Sequence, residues 1–270
     1  MASRIAPLVH SFQFCFYDFT TSSPTFVYFK NFERLLVDPV LIRSALNTMW
    51  FASISLGIVF LASLAIALLM NREFKGKSIL KSILIIPWAI PPVTIGLVWL
   101  WMLNADFGLI NAILFKMNLI PEYKSWLFEP LWAMFFLVVA TAWKDFPFMT
   151  IIFMSGLAMV PQDLYDAAAI DGASGLARIR HVGLPYIRYV LLTGLLLQLT
   201  NTLATFDMIY MMTRGGPQDS TLTLFYYSYR EAFQSGLFNF GYGAVLAQLG
   251  FLSCIVFYAY YLRLYKFEER

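Results

Sequence analysis

Long apolar blocks separated by short polar connections are the feature that most restricts how this chain folds. A transmembrane helix needs about 20 consecutive, mostly apolar residues. Five blocks reach that length, at residues 46–70, 79–103, 131–160, 186–212 and 242–265. Charged residues make up 13% of the 270 positions, whereas about 25% is usual in soluble domains. The sequence therefore predicts an all-α, polytopic membrane protein.

The N-terminal block, residues 5–17, is shorter than the other five. Its apolar run covers roughly a dozen residues and contains Pro7, His10 and Gln13, so it falls short of a full span. A secretory signal peptide is the alternative, but the small-residue cleavage site that should follow is absent. We interpret this block as a shortened first transmembrane helix, which gives about six helices in total.

The polar stretches between the blocks are too short to fold alone. None exceeds roughly 30 residues, well below the size at which a soluble domain buries a stable core. Residues 1–270 are therefore predicted to form a single transmembrane domain. Residues 18–44 are expected to be a polar, aromatic-rich loop. Residues 107–119 are apolar but short, which favours a position at the membrane interface.

The distribution of cations predicts the orientation, because short cytoplasmic loops carry an excess of Lys and Arg. One set of connections carries Arg72, Lys75, Lys77, Lys81, Arg178, Arg180, Arg188, Arg263, Lys266 and Arg270. The other set is smaller and belongs to longer loops, where the bias counts less: Lys30, Arg34, Arg43, Lys116, Lys124, Arg214 and Arg230. The first set is therefore expected on the cytoplasmic side, together with the C-terminus and the polar stretch at 161–185.

That polar stretch, hereafter the elbow (residues 161–185), lies between the third and fourth long blocks. Pro161 suits the first turn of a helix, and residues 165–171 predict a short helix with Gly172 as its C-terminal cap. Ser174 is suited to cap a second short helix. An elbow of this kind in water is open to a soluble partner. The alternative is an amphipathic loop that rests on lipid headgroups.

No catalytic or metal-binding group is indicated. Gly76-Lys77-Ser78 is similar to the end of a phosphate-binding loop, but the required first glycine is replaced by Asn71, so ATP binding by that motif is excluded. The two histidines and two cysteines are far apart, without the spacing of a zinc site or a disulfide framework. An intramembrane enzyme would also need a nucleophile–base pair, which is missing.

The elbow resembles the loop signature of binding-protein-dependent ABC importer permeases. That signature is Glu-Ala-Ala, two residues, Asp-Gly, nine residues and then Ile-x-Leu-Pro. At the same spacing this chain has Asp166-Ala167-Ala168, Asp171-Gly172 and Val182-Gly183-Leu184-Pro185. Asp166 replaces the usual glutamate, which keeps the charge on a shorter side chain, and Val182 replaces isoleucine.

Other segments resemble the sugar-permease branch, the maltose and glycerol-phosphate type. They are the first external loop at 26–32, with Tyr28 where glycine is usual, the proline-rich stretch 84–92, and residues 143–148, 206–210 and 213–217. The resemblance runs from about residue 7 to the end of the chain. The first helix departs from it, because the family has a full span there; a misplaced start codon or a truncation would explain the difference.

The resemblance implies a type I importer fold and a set of partners. A second, different permease completes the pathway, two cytoplasmic ATPases bind ATP and magnesium, and an external binding protein delivers a sugar or sugar-like solute. This chain would be a non-enzymatic subunit of a prokaryotic inner membrane, with no cofactor and no nucleic-acid partner. The residues implied in ATPase coupling are Asp166, Ala167, Ala168, Asp171, Gly172, Leu184 and Pro185.

Polar side chains within apolar blocks are candidates for the solute pathway, because they are costly in lipid and often functional. Gln198 and Asn201 are three residues apart and share a helix face. Lys144 and Asp145 are adjacent, so they are expected to point apart and to need separate partners. With Asp207 and Tyr210 they form the candidate set; hydrogen bonding between helices is the alternative role. A self-sufficient secondary transporter or channel is the alternative function, although the paired broken repeats typical of such proteins are not clear.

Overall fold

The computed structural model describes residues 2–20, 23–72, 74–236 and 238–267. Arg270, one of the cations used above for orientation, lies outside the described residues. A short antiparallel hairpin joins β1 (Tyr17–Asp18) to β2 (Thr25–Phe26), with Tyr17 opposite Phe26. Nearly all other regular structure in the described ranges is helical, as the sequence predicts.

The helices follow the apolar blocks closely. In chain order they are α1 (Ala2–Phe14), α2 (Lys30–Val37), α3 (Pro39–Met70), α4 (Lys77–Ala89), α5 (Pro92–Met102), α6 (Leu109–Lys116), α7 (Pro130–Ala158), α8 (Gln162–Ile170), α9 (Gly175–Arg178), α10 (Leu184–Tyr186), α11 (Arg188–Leu203), α12 (Asp207–Met212), α13 (Leu224–Tyr229) and α14 (Phe240–Phe267). A π-helical turn, Ile179–Gly183, connects α9 to α10.

In the described ranges, three helices are long and apolar enough to cross a membrane: α3, α7 and the Phe240–Ala259 part of α14. Two further pairs meet that test together but are bent at a short break, by 92° between α4 and α5 and by 69° between Gly175–Tyr186 and α11. The described residues thus hold three to five membrane-crossing segments. The α1 helix has 13 residues and is about 20 Å long, shorter than a hydrocarbon core of about 30 Å. The all-α membrane fold is confirmed, with a short first helix.

Two expectations about local structure are wrong. Residues 18–44 are not simply a loop, because they include the hairpin, α2 and the start of α3. Pro39 occupies the first turn of α3 and the side chain of Asp38 caps it, accepting a hydrogen bond from the Val40 amide at 2.9 Å. This favourable start places the helix seven residues earlier than the apolar block suggests.

The fourth apolar block, 186–212, is also not one helix. It breaks after Leu203, and α12 begins at Asp207. A negative side chain is favourable in the first turn of a helix, which suits Asp207. At the end of α11 the Thr205 hydroxyl donates a hydrogen bond to the backbone carbonyl of Asn201 at 3.2 Å. A hydropathy average over the whole block hides these polar residues, which end one helix and begin the next.

Helix α7 is the centre of the bundle and packs against α3, α4 and α11. The larger of two main apolar clusters joins it to α3, α5, α12, α13 and α14, through Phe51, Ile95, Leu137, Ile209, Tyr226 and Tyr242. The second cluster lies nearer the elbow and contains Val59, Met149, Phe153, Leu157 and Ile187. Both ends of α7 are therefore held in place by buried apolar side chains.

Polar contacts fix the end of the bundle where α3 begins. The Asp38 carboxylate accepts hydrogen bonds from the hydroxyls of Tyr227, at 2.6 Å, and Tyr242. Burial opposes ionisation of Asp38, but these bonds outweigh it and hold the pKa of the carboxyl below its ordinary value. Arg34 pairs with Glu231 at 2.9 Å beside this group. The start of α3 is thereby tied to α13 and α14.

Candidate functional site

The elbow consists of two short helical segments that meet at a glycine. The first segment is α8, and the second runs from α9 through the π-helical turn into α10. Gly172 has a φ of +81°, a left-handed conformation that glycine adopts without strain. The Ser174 hydroxyl caps the second segment by accepting a hydrogen bond from the Ala177 amide at 3.3 Å. Both capping residues lie where the sequence predicts them.

Most of the residues implied in coupling lie on the elbow surface. Asp166, Ala167, Asp171, Gly172 and Pro185 are exposed, whereas Ala168 and Leu184 are half-buried. Asp166 accepts one hydrogen bond, from the Gln162 side-chain amide at 3.0 Å. The elbow also exposes apolar side chains, with Ile170 87% and Leu176 77% accessible. A surface of small, acidic and apolar residues in one protruding element is suited to a protein partner.

One aromatic residue anchors the elbow to the bundle. The ring of Tyr165, on α8, packs against the second apolar cluster, and burial raises the pKa of its hydroxyl. Gly183 is buried beneath it, and a Cβ atom at this position would be 2.6 Å from the Tyr165 hydroxyl oxygen. The contact in its present geometry leaves no room for a side chain at 183, and the sequence marks this glycine only by its place in the motif.

Replacing Gly183 with alanine is expected to weaken this anchor by about 1–2 kcal/mol, because the added methyl overlaps the hydroxyl of Tyr165. The double variant Tyr165→Phe/Gly183→Ala should recover most of the loss, since the next ring atom would be 3.6 Å from the new Cβ. Thermal unfolding and limited proteolysis within 161–185 measure both effects. Tyr165→Phe alone is the control. A Gly183→Ala protein as stable as wild type would refute the contact.

The pathway candidates on α7 and α11 form one polar cluster. Asp145 is buried, with 1% of its surface accessible. Its carboxylate accepts hydrogen bonds from the side-chain amides of Gln198, at 2.8 Å, and Asn201, at 3.4 Å. Lys144 pairs with the other carboxylate oxygen. The expectation that Lys144 and Asp145 point apart is therefore wrong, because the long lysine side chain folds back to its neighbour.

Asp207 and Tyr210 lie close to this cluster without bonding to it. Asp207 lines a cavity of about 80 Å³ together with Lys144 and Asn201. Tyr210 stacks on Phe206, which lines the same cavity, with ring centroids 5.6 Å apart. Tyr226 and Tyr229 extend this group of rings. Hydrogen-bonding groups next to aromatic faces are a combination that can bind a sugar.

The structure adds Thr141 to the cavity wall. Its hydroxyl is buried and has no hydrogen-bond partner among the residues that the structure describes. Thr141 precedes Asp145 by one helical turn, so spacing alone places both on one face of α7. This four-residue spacing is visible in the sequence and could have identified Thr141 as a member of the candidate set. Thr202 also belongs to the cluster, since its hydroxyl accepts a hydrogen bond from the Gln198 side-chain amide at 3.0 Å. It follows Gln198 by one helical turn, so its position too could be read from the spacing.

These features define a helical membrane protein in which a protruding elbow connects two spans that share a buried polar cluster. A match to a family model identifies the class more closely. The chain belongs to the family described as binding-protein-dependent transport system inner membrane component, which matches residues 57–267. The resemblance inferred from the elbow motif is confirmed.

Curated relatives place the chain among sugar permeases. It is 35% identical to the trehalose/maltose transport system permease protein MalF of Thermococcus litoralis, over 90% of this chain and 81% of that protein. It is 31% identical to the sulfoquinovosyl glycerol transport system permease protein SmoG of Agrobacterium fabrum, over 90% and 78%. The sugar-permease branch named from the motifs is confirmed.

A solved structure has the same fold. It is a bacterial alginate ABC transporter in complex with an alginate pentasaccharide-bound periplasmic protein. One of its chains superposes with a TM-score of 0.81, at 19% identity, over 97% of this chain and 86% of that chain. At this identity the match establishes the fold alone.

Proposed function

We propose that this chain is one of two permeases that enclose the pathway of an ATP-driven, binding-protein-dependent sugar importer. Its elbow is the contact for a separate cytoplasmic ATPase. ATP and magnesium are bound by the ATPase subunits, and this chain needs no cofactor. The elbow and the C-terminus lie on the cytoplasmic side of a prokaryotic inner membrane.

The connectivity of the elbow is the observation that supports coupling most strongly. Helix α7 ends at Ala158, four residues before α8 begins, and the second elbow segment is followed at once by α11. The same two spans, α7 and α11, carry Asp145 and Gln198. A displacement of the elbow by the ATPase pair therefore moves both walls of the polar cluster. Such a rigid-body shift of packed helices is a common form of switching.

The partners follow from the family and from the incomplete cavity. Asn201 is exposed at the edge of the cluster in this single chain, where a second, different permease would close the pathway. An external solute-binding protein would deliver the solute at the opposite side from the elbow. The structure of the alginate transporter, which includes such a periplasmic protein, supports this arrangement.

The solute is proposed to be a sugar or sugar-like molecule. Lys144, Asn201 and Asp207 line the small cavity and supply hydrogen-bonding groups. Phe206, on which Tyr210 stacks, supplies an aromatic face beside them. Trehalose and maltose are the first candidates to test, because the relative with 35% identity is a trehalose/maltose transport system permease.

Reconstitution in proteoliposomes tests the proposal against a secondary transporter or channel. With the second permease, the ATPases, the binding protein and ATP present, labelled trehalose or maltose should accumulate. Without the ATPases, or with a non-hydrolysable ATP analogue, accumulation should be absent. Uptake by this chain alone would overturn the importer assignment. Competition by unlabelled sugars then ranks the solutes.

A further inference from the structure

A long groove that the transport cycle does not explain lies between α3 and α7, at the end where α3 begins. Its volume is about 690 Å³. Arg43 and Asn47 line one end, under the loop that carries Gln218 and Ser220. The remaining wall is apolar and open to the surroundings; it is formed by Trp50, Ile54, Pro130, Leu131 and Met134. Trp50 is 65% accessible and Leu131 79%.

The depth of this groove in the membrane follows from α3. The run from 44 to 71 carries no charge and is bounded by Arg43 and Arg72. At 1.5 Å per residue these two cations are about 43 Å apart, which equals the thickness of a bilayer including its headgroups, about 40–45 Å. Arg43 is therefore at the depth of the phosphates. From there the groove extends about 16 Å toward the bilayer centre, as far as Ile54.

Arg43 carries a charge that no ion pair balances among the residues that the structure describes. No carboxylate pairs with it in the described part of the chain, and its guanidinium makes one hydrogen bond, to the Gln218 carbonyl at 3.1 Å. The acid in the adjacent loop, Asp219, is paired with Arg230 instead. A guanidinium has five N–H donors, so donors remain for a phosphate, which arginine binds in a bidentate manner.

We propose that this groove is a binding site for a single phospholipid. The phosphate lies on Arg43, and an acyl chain passes Leu131, near the start of α7, and follows Trp50 and Ile54 toward the bilayer centre. A membrane-spanning helix of another subunit fits these features less well, because it would cover an arginine that pairs with no acid among the described residues. The site is separate from the polar cluster of Asp145 and from the elbow.

Native mass spectrometry of the detergent-purified importer, titrated with phosphatidylglycerol and phosphatidylethanolamine, tests the site. Wild type should retain one phospholipid per copy of this chain. Arg43→Gln should weaken binding about tenfold, the effect of a lost charge-assisted hydrogen bond. Ile54→Trp, which fills the groove and keeps the arginine, should weaken it similarly. Arg72→Gln, at the other end of α3, is the matched control and should bind as wild type does.

Photo-crosslinking separates lipid from protein as the occupant. A benzophenone amino acid at Leu131 should form adducts of phospholipid mass. A crosslink to the second permease would overturn the proposal, as would wild-type lipid retention in both Arg43→Gln and Ile54→Trp.

Discussion

Replacing Asp145 with asparagine is expected to destabilise the permease by about 3 kcal/mol and to lower sugar uptake more than tenfold. The carboxylate is the anion that balances Lys144, and it accepts hydrogen bonds from Gln198 and Asn201. Breaking a buried pair by removing one partner leaves an uncompensated charge, which typically costs 3–5 kcal/mol. Thermal unfolding of the purified importer and uptake into proteoliposomes measure the two effects.

Two further variants separate the structural effect from the transport effect. Lys144→Met/Asp145→Asn removes both charges and should recover most of the stability, while uptake stays low. Asp207→Asn is the matched control, because Asp207 lines the same cavity but makes no bond to the cluster. Its stability should stay within about 1 kcal/mol of wild type, which is the usual effect of a charge in the first turn of a helix. An Asp145→Asn protein with wild-type stability and wild-type uptake would mean that the cluster serves neither purpose.

The elbow was predictable because its signals are local. A glycine suited to a left-handed turn and a serine cap each act within one helical turn of their own position. Gly172 and Ser174 therefore end and begin helices where the sequence predicts them. The break between α4 and α5 also has a local cause, since Pro91 and Pro92 are incompatible with a continuous helix.

The polar cluster was predictable only in part, because its contacts join distant positions. The hydrogen bond from Gln198 to Asp145 connects residues 53 apart in sequence, and helical periodicity contains no information on which face of α7 meets α11. The rule that adjacent residues on a helix point apart led to the wrong expectation that Lys144 and Asp145 need separate partners. That rule describes short side chains, whereas a lysine side chain can fold back along the helix surface.

Reversing the charge of Asp166 and Asp171 is expected to abolish coupling without unfolding the chain. Asp166→Lys/Asp171→Lys should prevent co-purification of the ATPase subunits and reduce ATP-driven uptake more than tenfold, because two acidic contacts become repulsive toward cations on the partner. Both side chains are exposed, and the one hydrogen bond that Asp166 accepts, from Gln162, is also exposed. The thermal midpoint of the isolated permease should therefore stay the same.

Asp106→Lys is the matched control for this charge reversal. Asp106 is an exposed acid in the connection between α5 and α6, far from the elbow in sequence, and its reversal should leave ATPase association intact. Retention of the ATPase and of uptake in the double elbow variant would exclude these two carboxylates as contacts. Coupling would then depend on the apolar side chains that the elbow exposes, Ile170 and Leu176. Loss of association together with loss of the folded permease would instead assign the two acids a structural role.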